Sequence, residues 1–227
     1  MCHFSRNTTQ DTRDRLIETA RQLFLKKGYT ATGVAEILQK AGLNAGSLYH
    51  FFASKEDLLL AVLERYKELL GPLVLQPVYE RISDSVERVF GILDGYRGML
   101  LETDHEQGCP IGNLALELST THPAARKVIA ENFTGWRNAV ADGLREAAGR
   151  LPAGLDMDQL ALFLLTLMEG AVMLARAYRS IEPYDAAVAQ LRDYFDRLLS
   201  NGTSRSTPRP AARANRQKKR GRRNVRV

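Results

Sequence analysis

Apolar residues recur three and four positions apart along most of the chain, and no stretch of useful length alternates with period two. That spacing predicts an all-α protein. Leu16, Ala20, Leu23 and Phe24 form the buried stripe of a first helix that starts near Thr9 to Asp11 and stops at Gly28, with Lys26 and Lys27 suiting its last turn. Val34, Ile37, Leu38 and Ala41 make a short second stripe, with Thr32 as a natural N-cap before it and Ala41-Gly42-Leu43 as its break. Asn44 then caps a third helix, and Leu43 and Leu48 have the positions of a hydrophobic staple. Leu48 and Phe51 point inward on it, leaving Ala45, Gly46, Ser47, Tyr49 and His50 to face outward.

Ser54 opens a fourth helix that continues through Leu58, Leu59, Val62 and Tyr66 to about Leu70, where Gly71-Pro72 ends it. Five more helices follow: Val78 to Leu101, Pro110 to about His122-Pro123, Ala124 to Ala148, Asp158 to about Tyr178, and Tyr184 to Leu199. The penultimate one is apolar on every side, with Leu160, Phe163, Leu164, Leu167, Met168, Ala171, Val172 and Ala175 circling it. A helix of that kind must be covered all round. One small domain supplies too little cover, so the expected arrangement is a symmetric homodimer through residues 156–199, the last two helices of each subunit forming a four-helix bundle.

Two short helices locked at an angle by a tight turn make a helix-turn-helix, and the second of them fits the major groove of DNA. Small residues at its start permit close approach to base edges, and Tyr49 and His50 can donate to phosphates. Gly28-Tyr29, Thr32, Val34, Ile37 and then AGLNAGSLYHFFASKEDLL resemble the N-terminal domain of the TetR family of bacterial transcriptional regulators, over about residues 12–63. Gly33 and Ala45 depart from the family's usual helix former and its frequent longer polar residue, which bears on the operator sequence. The resemblance implies dimeric pairing and adds phosphate contact to the cap role of Thr32. Lys55, at a helix N-terminus, is either a phosphate ligand or a solvated lysine. The expected DNA-contacting set is therefore Thr32, Asn44, Ala45, Gly46, Ser47, Tyr49, His50 and Lys55.

The body holds no nucleophile motif and no phosphate loop, and His105 to Cys109 with His122 is poor metal spacing, so neither a cofactor nor a metal is expected. Tyr96, Met99, Phe133, Trp136, Phe163, Met168 and Met173 offer an aromatic and Met-rich lining for a small, largely apolar effector, or plain core. Asn113, Glu117 and Glu169 either join helices by hydrogen bonds or face that effector cavity. Gly108 to Leu118, GCPIGNLALEL, resembles a G-C-x-x-G-N-L-x-x-E segment in a subset of TetR-like repressors, some of which respond to small reactive or unsaturated compounds. Cys109 before Pro110 sits where a helix dipole lowers a thiol pKa, so it is a sensing thiol or a packing residue.

Charge changes the picture at one end only. The 227 residues carry a net +6, yet ten Arg or Lys and no acid lie in residues 203–227, which leaves −4 for the rest. Residues 201–227 therefore read as a basic disordered tail able to reach phosphates, after a DNA-binding head at 1–53 and an effector-binding, dimerising body at 54–200. Two cysteines, Cys2 and Cys109, suit a reducing compartment, and no signal peptide or membrane span is expected. The expectation is a cytoplasmic, nucleoid-associated repressor that binds a double-stranded pseudo-palindromic operator and a small-molecule effector. An activator on the same fold remains open, and the rival of another class is a helical enzyme or carrier for a small hydrophobic molecule.

Overall fold

The structure is a computed structural model that describes residues 4–203, with side chains described for residues 9–201. Cys2 and nearly all of the basic tail lie outside the described residues. Within them the fold is all-α: ten α-helices, one π turn and one 3-10 turn, without a strand.

α1 (Phe4–Lys27) begins a turn and more before the expected start and ends at Gly28, which takes φ +84°. α2 (Val34–Ala41) closes as its sequence predicts. Gly42 is left-handed at φ 64°, its N–H reaches the Gln39 carbonyl, and the Leu43 N–H reaches the Leu38 carbonyl at 2.9 Å. Those two bonds satisfy carbonyls that a helix end otherwise leaves orphaned. α3 (Ser47–Phe51) starts later than expected. Gly46 is its N-cap, with no side-chain capping bond, and Asn44 instead offers its backbone carbonyl to Ser47 N–H at 2.9 Å. Asn44 is thus not a side-chain cap, and the staple spacing lapses, although Leu43 and Leu48 still pack in one cluster.

α4 (Lys55–Leu69) is capped by Ser54, whose Oγ accepts from Asp57 N–H at 3.0 Å. Gly71-Pro72 does not end this rod. Pro72 has no N–H and its ring crowds the carbonyl four residues back, so the chain widens into a π turn (Leu70–Leu75) and runs on into α5 (Gln76–Arg81). The single helix expected from Val78 to Leu101 is split. Ile82 is extended, and Asp84 caps α6 (Ser85–Glu102) by accepting from Val86 and Glu87 N–H at 2.9 and 3.0 Å. Asp84 with Glu87 three residues on is a start signal that apolar spacing alone does not register.

α7 (Pro110–Leu118), α8 (Pro123–Arg145), the 3-10 turn (Ala148–Arg150), α9 (Met157–Tyr178) and α10 (Glu182–Thr203) complete the body. α9 packs on α8, α10 and α6, burying Leu160, Leu164, Leu165, Met168 and Val172. It is long and apolar enough to cross a membrane, but that side is the body's own core. Its other side leaves Leu162, Phe163, Met173, Leu174 and Tyr178 exposed, beside Tyr194 of α10. Each large aliphatic side chain buried in this core contributes roughly 1.5–3 kcal/mol.

A second cluster joins α1 to α4 with Cys109, Ile111, Leu114 and Leu118 of α7 and Ala125 and Ile129 of α8. The first four helices therefore share apolar packing with α7 and α8.

Candidate functional site

α3 is held from beneath by Leu48, which is fully buried, and by Phe52 just past its end, over which the Arg13 guanidinium stacks at 5.3 Å. Phe51, expected inside, is half-buried and lies edge-on to the His50 ring. Periodicity missed Phe52 because it follows the last helical turn. The outer face carries Tyr49 at 65% exposure and His50, preceded by exposed Asn44, Ala45 and Gly46 and half-buried Ser47. A Cβ built on Gly46 would meet nothing within 4 Å, so the fold itself does not demand glycine there.

Two residues expected on this face are engaged elsewhere. Thr32 is fully buried, and its hydroxyl donates to the Gly28 carbonyl at 2.7 Å, while Gly33 takes the N-cap position of α2. It is neither a side-chain cap nor open to a phosphate in this conformation. Lys55 turns back into the head: its Nζ donates to the Tyr29 carbonyl at 2.7 Å and sits 4.0 Å from the Tyr29 ring centre. Burial lowers its pKa, and nearby Glu117 opposes that shift.

The turn between α1 and α2 is gripped from the body. Glu117 of α7 accepts the N–H of Tyr29 at 2.9 Å and of Thr30 at 2.6 Å, and the His122 ring meets the Tyr29 ring edge-on at 5.3 Å. Burial pushes the Glu117 carboxyl up, but the Thr30 and Tyr29 donors and the Lys55 ammonium outweigh it and hold the pKa below its ordinary value. Glu117 is therefore a bridge between body and head and lines none of the body cavities described below, contrary to one of its two expected roles.

A cavity of about 240 Å³ lies at the other end of α7, against Cys109, Pro110 and Ile111. It gathers Tyr96, Met99, Cys109, Phe133, Trp136, Met168 and Glu169, seven of the eleven residues singled out above as effector or sensing candidates. Asn113 lines a neighbouring cavity of about 260 Å³ with Met173 and accepts from Arg176 Nη1 at 2.6 Å. Phe163 does not face either cavity; it is 47% exposed and packs edge-on against Tyr194. Sequence reasoning missed Arg21 and Leu25 of α1 and Tyr66 and Leu69 of α4, because their partners lie far along the chain. The cavity wall thus includes the head's own first helix.

Cys109 caps α7, its Sγ accepting Gly112 N–H at 3.5 Å. It is 7% exposed, and burial, reinforced by the Glu169 carboxylate, pushes its thiol far above the ordinary range. The dipole-lowered thiol expected from Pro110 is overturned by desolvation. Burial likewise raises the Glu169 carboxyl, whose Oε1 has no hydrogen-bond partner, and Tyr66 hydroxyl and Trp136 Nε1 are also buried without one. Arg21 is tied to Glu18 by bonds of 2.8 and 2.7 Å, which raise its pKa, and its guanidinium stacks on Tyr66 at 5.6 Å. Among the described residues no three His, Cys, Asp or Glu side chains cluster as a metal site would need.

Residues 16–62 match the model of bacterial regulatory proteins of the tetR family, and residues 85–191 match a Tetracyclin repressor-like C-terminal domain. The chain is 31% identical over 189 residues to an uncharacterised HTH-type transcriptional regulator of Mycobacterium tuberculosis, covering 81% of this chain and 94% of that one. It is 30% identical over 177 residues to the HTH-type transcriptional repressor DhaR of a Mycobacterium species, covering 76% of this chain and 86% of the other. The crystal structure of reduced NemR from Escherichia coli superposes with a TM-score of 0.70 at 26% identity, over 80% of this chain and 96% of that one. These relatives are transcriptional regulators rather than enzymes, and with the two domain matches they place the chain in the TetR family of DNA-binding, helix-turn-helix transcriptional regulators.

Proposed function

We propose that the chain is a ligand-responsive repressor that binds a pseudo-palindromic operator as a homodimer. Residues 1–53 form the DNA-binding head, 54–200 the effector-binding and dimerising body, and 201–227 a basic tail reaching neighbouring phosphates on the nucleoid. The observation that carries this reading is the outer face of α3: small and open at Ala45 and Gly46, polar at Tyr49 and His50, and rooted by Leu48. In a major groove, Asn44 to Ser47 would approach base edges while Tyr49 and His50 bind phosphates. Thr32 and Lys55 act behind that face, setting the shape of the Tyr29 turn.

The exposed apolar stripe of α9, from Leu162 to Tyr178, supports pairing through residues 156–199, since an uncovered stripe of this size is disfavoured in water. The cavity is the effector's seat. Its wall contains the first turn of α7 at Cys109 to Ile111, and the other end of α7 holds the Tyr29 turn through Glu117. A ligand that prefers a shifted α7 would move both heads out of step with the duplex, whereas one that binds both arrangements equally would leave the operator occupied. The segment from Gly108 to Leu118 would then act by carrying motion rather than by thiolate chemistry at Cys109. Gel-shift titration of the purified full chain against its own upstream DNA tests this reading. One retarded species of two protomers, resisting random competitor, supports it, and retention by random duplex alone contradicts it.

A further inference from the structure

We propose that the cavity between α1 and the body takes an uncharged, mostly apolar molecule bearing one hydrogen-bond acceptor, such as a ketone, ester or ether oxygen, held without a covalent bond. This deepens the effector reading above and rests on it for its biological role.

Size comes first. An engineered apolar cavity of about 150 Å³ holds benzene, so the present space suits a molecule of about ten heavy atoms. The cavity itself measures about 240 Å³, and its walls are mainly Leu69, Met99, Phe133, Leu165 and Met168. Such a surface favours an apolar body.

The polar atoms then select the functional group. Trp136 Nε1 can only donate, and the Tyr66 hydroxyl donates readily; both line this cavity, and neither makes a well-formed hydrogen bond, although Tyr96 stands against Trp136 and the Arg21 guanidinium against Tyr66. A buried donor left unpaired is costly, and a ligand acceptor removes that cost. Glu169 lines the same space with Oε1 unpaired, and burial raises its carboxyl pKa.

Charge is selected against in both directions. An anion would lose its hydration in a largely apolar space and find Arg21 already held by Glu18 through two bonds. A cation would lose its hydration there too, and the Glu18 carboxylate is taken by Arg21. Cys109 is at the wall, but it is only 7% exposed and its Sγ is turned into the first turn of α7, accepting Gly112 N–H at 3.5 Å, so the ligand is held without a covalent bond.

The only tryptophan of the chain is Trp136, so its emission reports this cavity directly. Acetophenone, ethylbenzene and benzoate, similar in size, are titrated into the full-length protein by fluorescence and by calorimetry. Acetophenone is expected to bind about tenfold more tightly than ethylbenzene, the worth of one well-made hydrogen bond, with Trp136 emission changing in step. Benzoate is expected not to bind. Tyr66→Phe and Trp136→Phe, read by calorimetry, should each lower acetophenone affinity toward that of ethylbenzene, and Tyr66→Phe, which keeps the ring, should leave ethylbenzene itself unchanged.

Equal affinity for acetophenone and ethylbenzene, preference for benzoate, or no binding by any of the three would overturn the proposal without use of a variant. Operator binding, measured separately without ligand, keeps the two readings apart. A chain that grips its operator yet shows no preference for acetophenone refutes the ligand class alone. One that prefers acetophenone but binds no operator refutes the repressor reading alone.

Discussion

The Glu117 carboxylate accepts the backbone N–H of Tyr29 at 2.9 Å, joining two residues that lie 88 positions apart in the chain. Gly28, next to Tyr29, is left-handed, and a Cβ placed on it would stand 2.9 Å from Glu117 Oε2. The bridge therefore leaves no room for a side chain at position 28. Glu117→Ala leaves the Tyr29 and Thr30 amides without their acceptor, a loss of about 1–3 kcal/mol. Urea unfolding should show the lower midpoint, and Gly28→Ala, which adds backbone strain to the steric conflict, should lower it as well.

Acid should weaken the protein through the carboxylates held below their ordinary values, Glu117 and Asp84 among them. Glu117 is held below its ordinary value, and Asp84, bonded to Arg150 and to the first amides of α6, is lowered from 3.8 to about 2. A depressed folded pKa means stability that is fully present above the unfolded value and lost as pH falls through the folded one. Stability measured by urea from pH 6 downward should decline below about pH 4.5. Asp84→Asn should flatten the part of that decline nearest pH 2–4, and an identical slope in the variant would contradict the assignment.

Tyr49 and His50 lie on the open face of α3, so replacing them tests recognition apart from folding. Tyr49→Ala and His50→Ala should leave the melting temperature nearly unchanged and weaken operator binding about five- to tenfold each, one hydrogen bond apiece. Fluorescence anisotropy with labelled operator reads the affinity. A fall in melting temperature with intact affinity would make both residues supports of the fold instead of contacts to DNA.

Adjacent residues of α9 should fail in different ways. Leu164 is 1% exposed, and Leu164→Ala should destabilise the protein by about 2–5 kcal/mol through the cavity it leaves. Phe163 faces outward beside Tyr194, and Phe163→Arg should keep the subunit folded while shifting sedimentation from dimer to monomer. Both outcomes are accessible to analytical ultracentrifugation combined with thermal melts.

What the sequence disclosed follows from the range of the forces involved. Helix stripes and the Gly42 stop are local, so Leu16, Ile37 and Leu48 were legible as core and the head's three helices could be placed. Gly71-Pro72 misled because a break in α-helical bonding need not reverse the chain, and a π turn absorbed it. Within the cavity, residues on the body helices were legible as apolar faces, whereas Arg21 and Tyr66 were not, since Arg21 lies off the α1 stripe, Tyr66 reads as ordinary packing of α4, and the partners of both lie far along the chain. Thr32, Lys55 and Glu117 show a third limit. Each is polar and plausibly exposed by spacing, yet their partners are backbone atoms around Tyr29 that only the folded chain assembles. Cys109 shows a fourth, because burial outweighed the helix terminus in setting its thiol.

Dimeric recognition of a two-fold site is tested most directly by the stoichiometry and spacing of the purified full chain on the genomic fragments it selects. Footprinting with mass measurement of the complex should show two protomers on one pseudo-palindrome, with half-site centres about 10 base pairs, or a multiple of that, apart. A single protomer per site, or protection without two-fold symmetry, would contradict it.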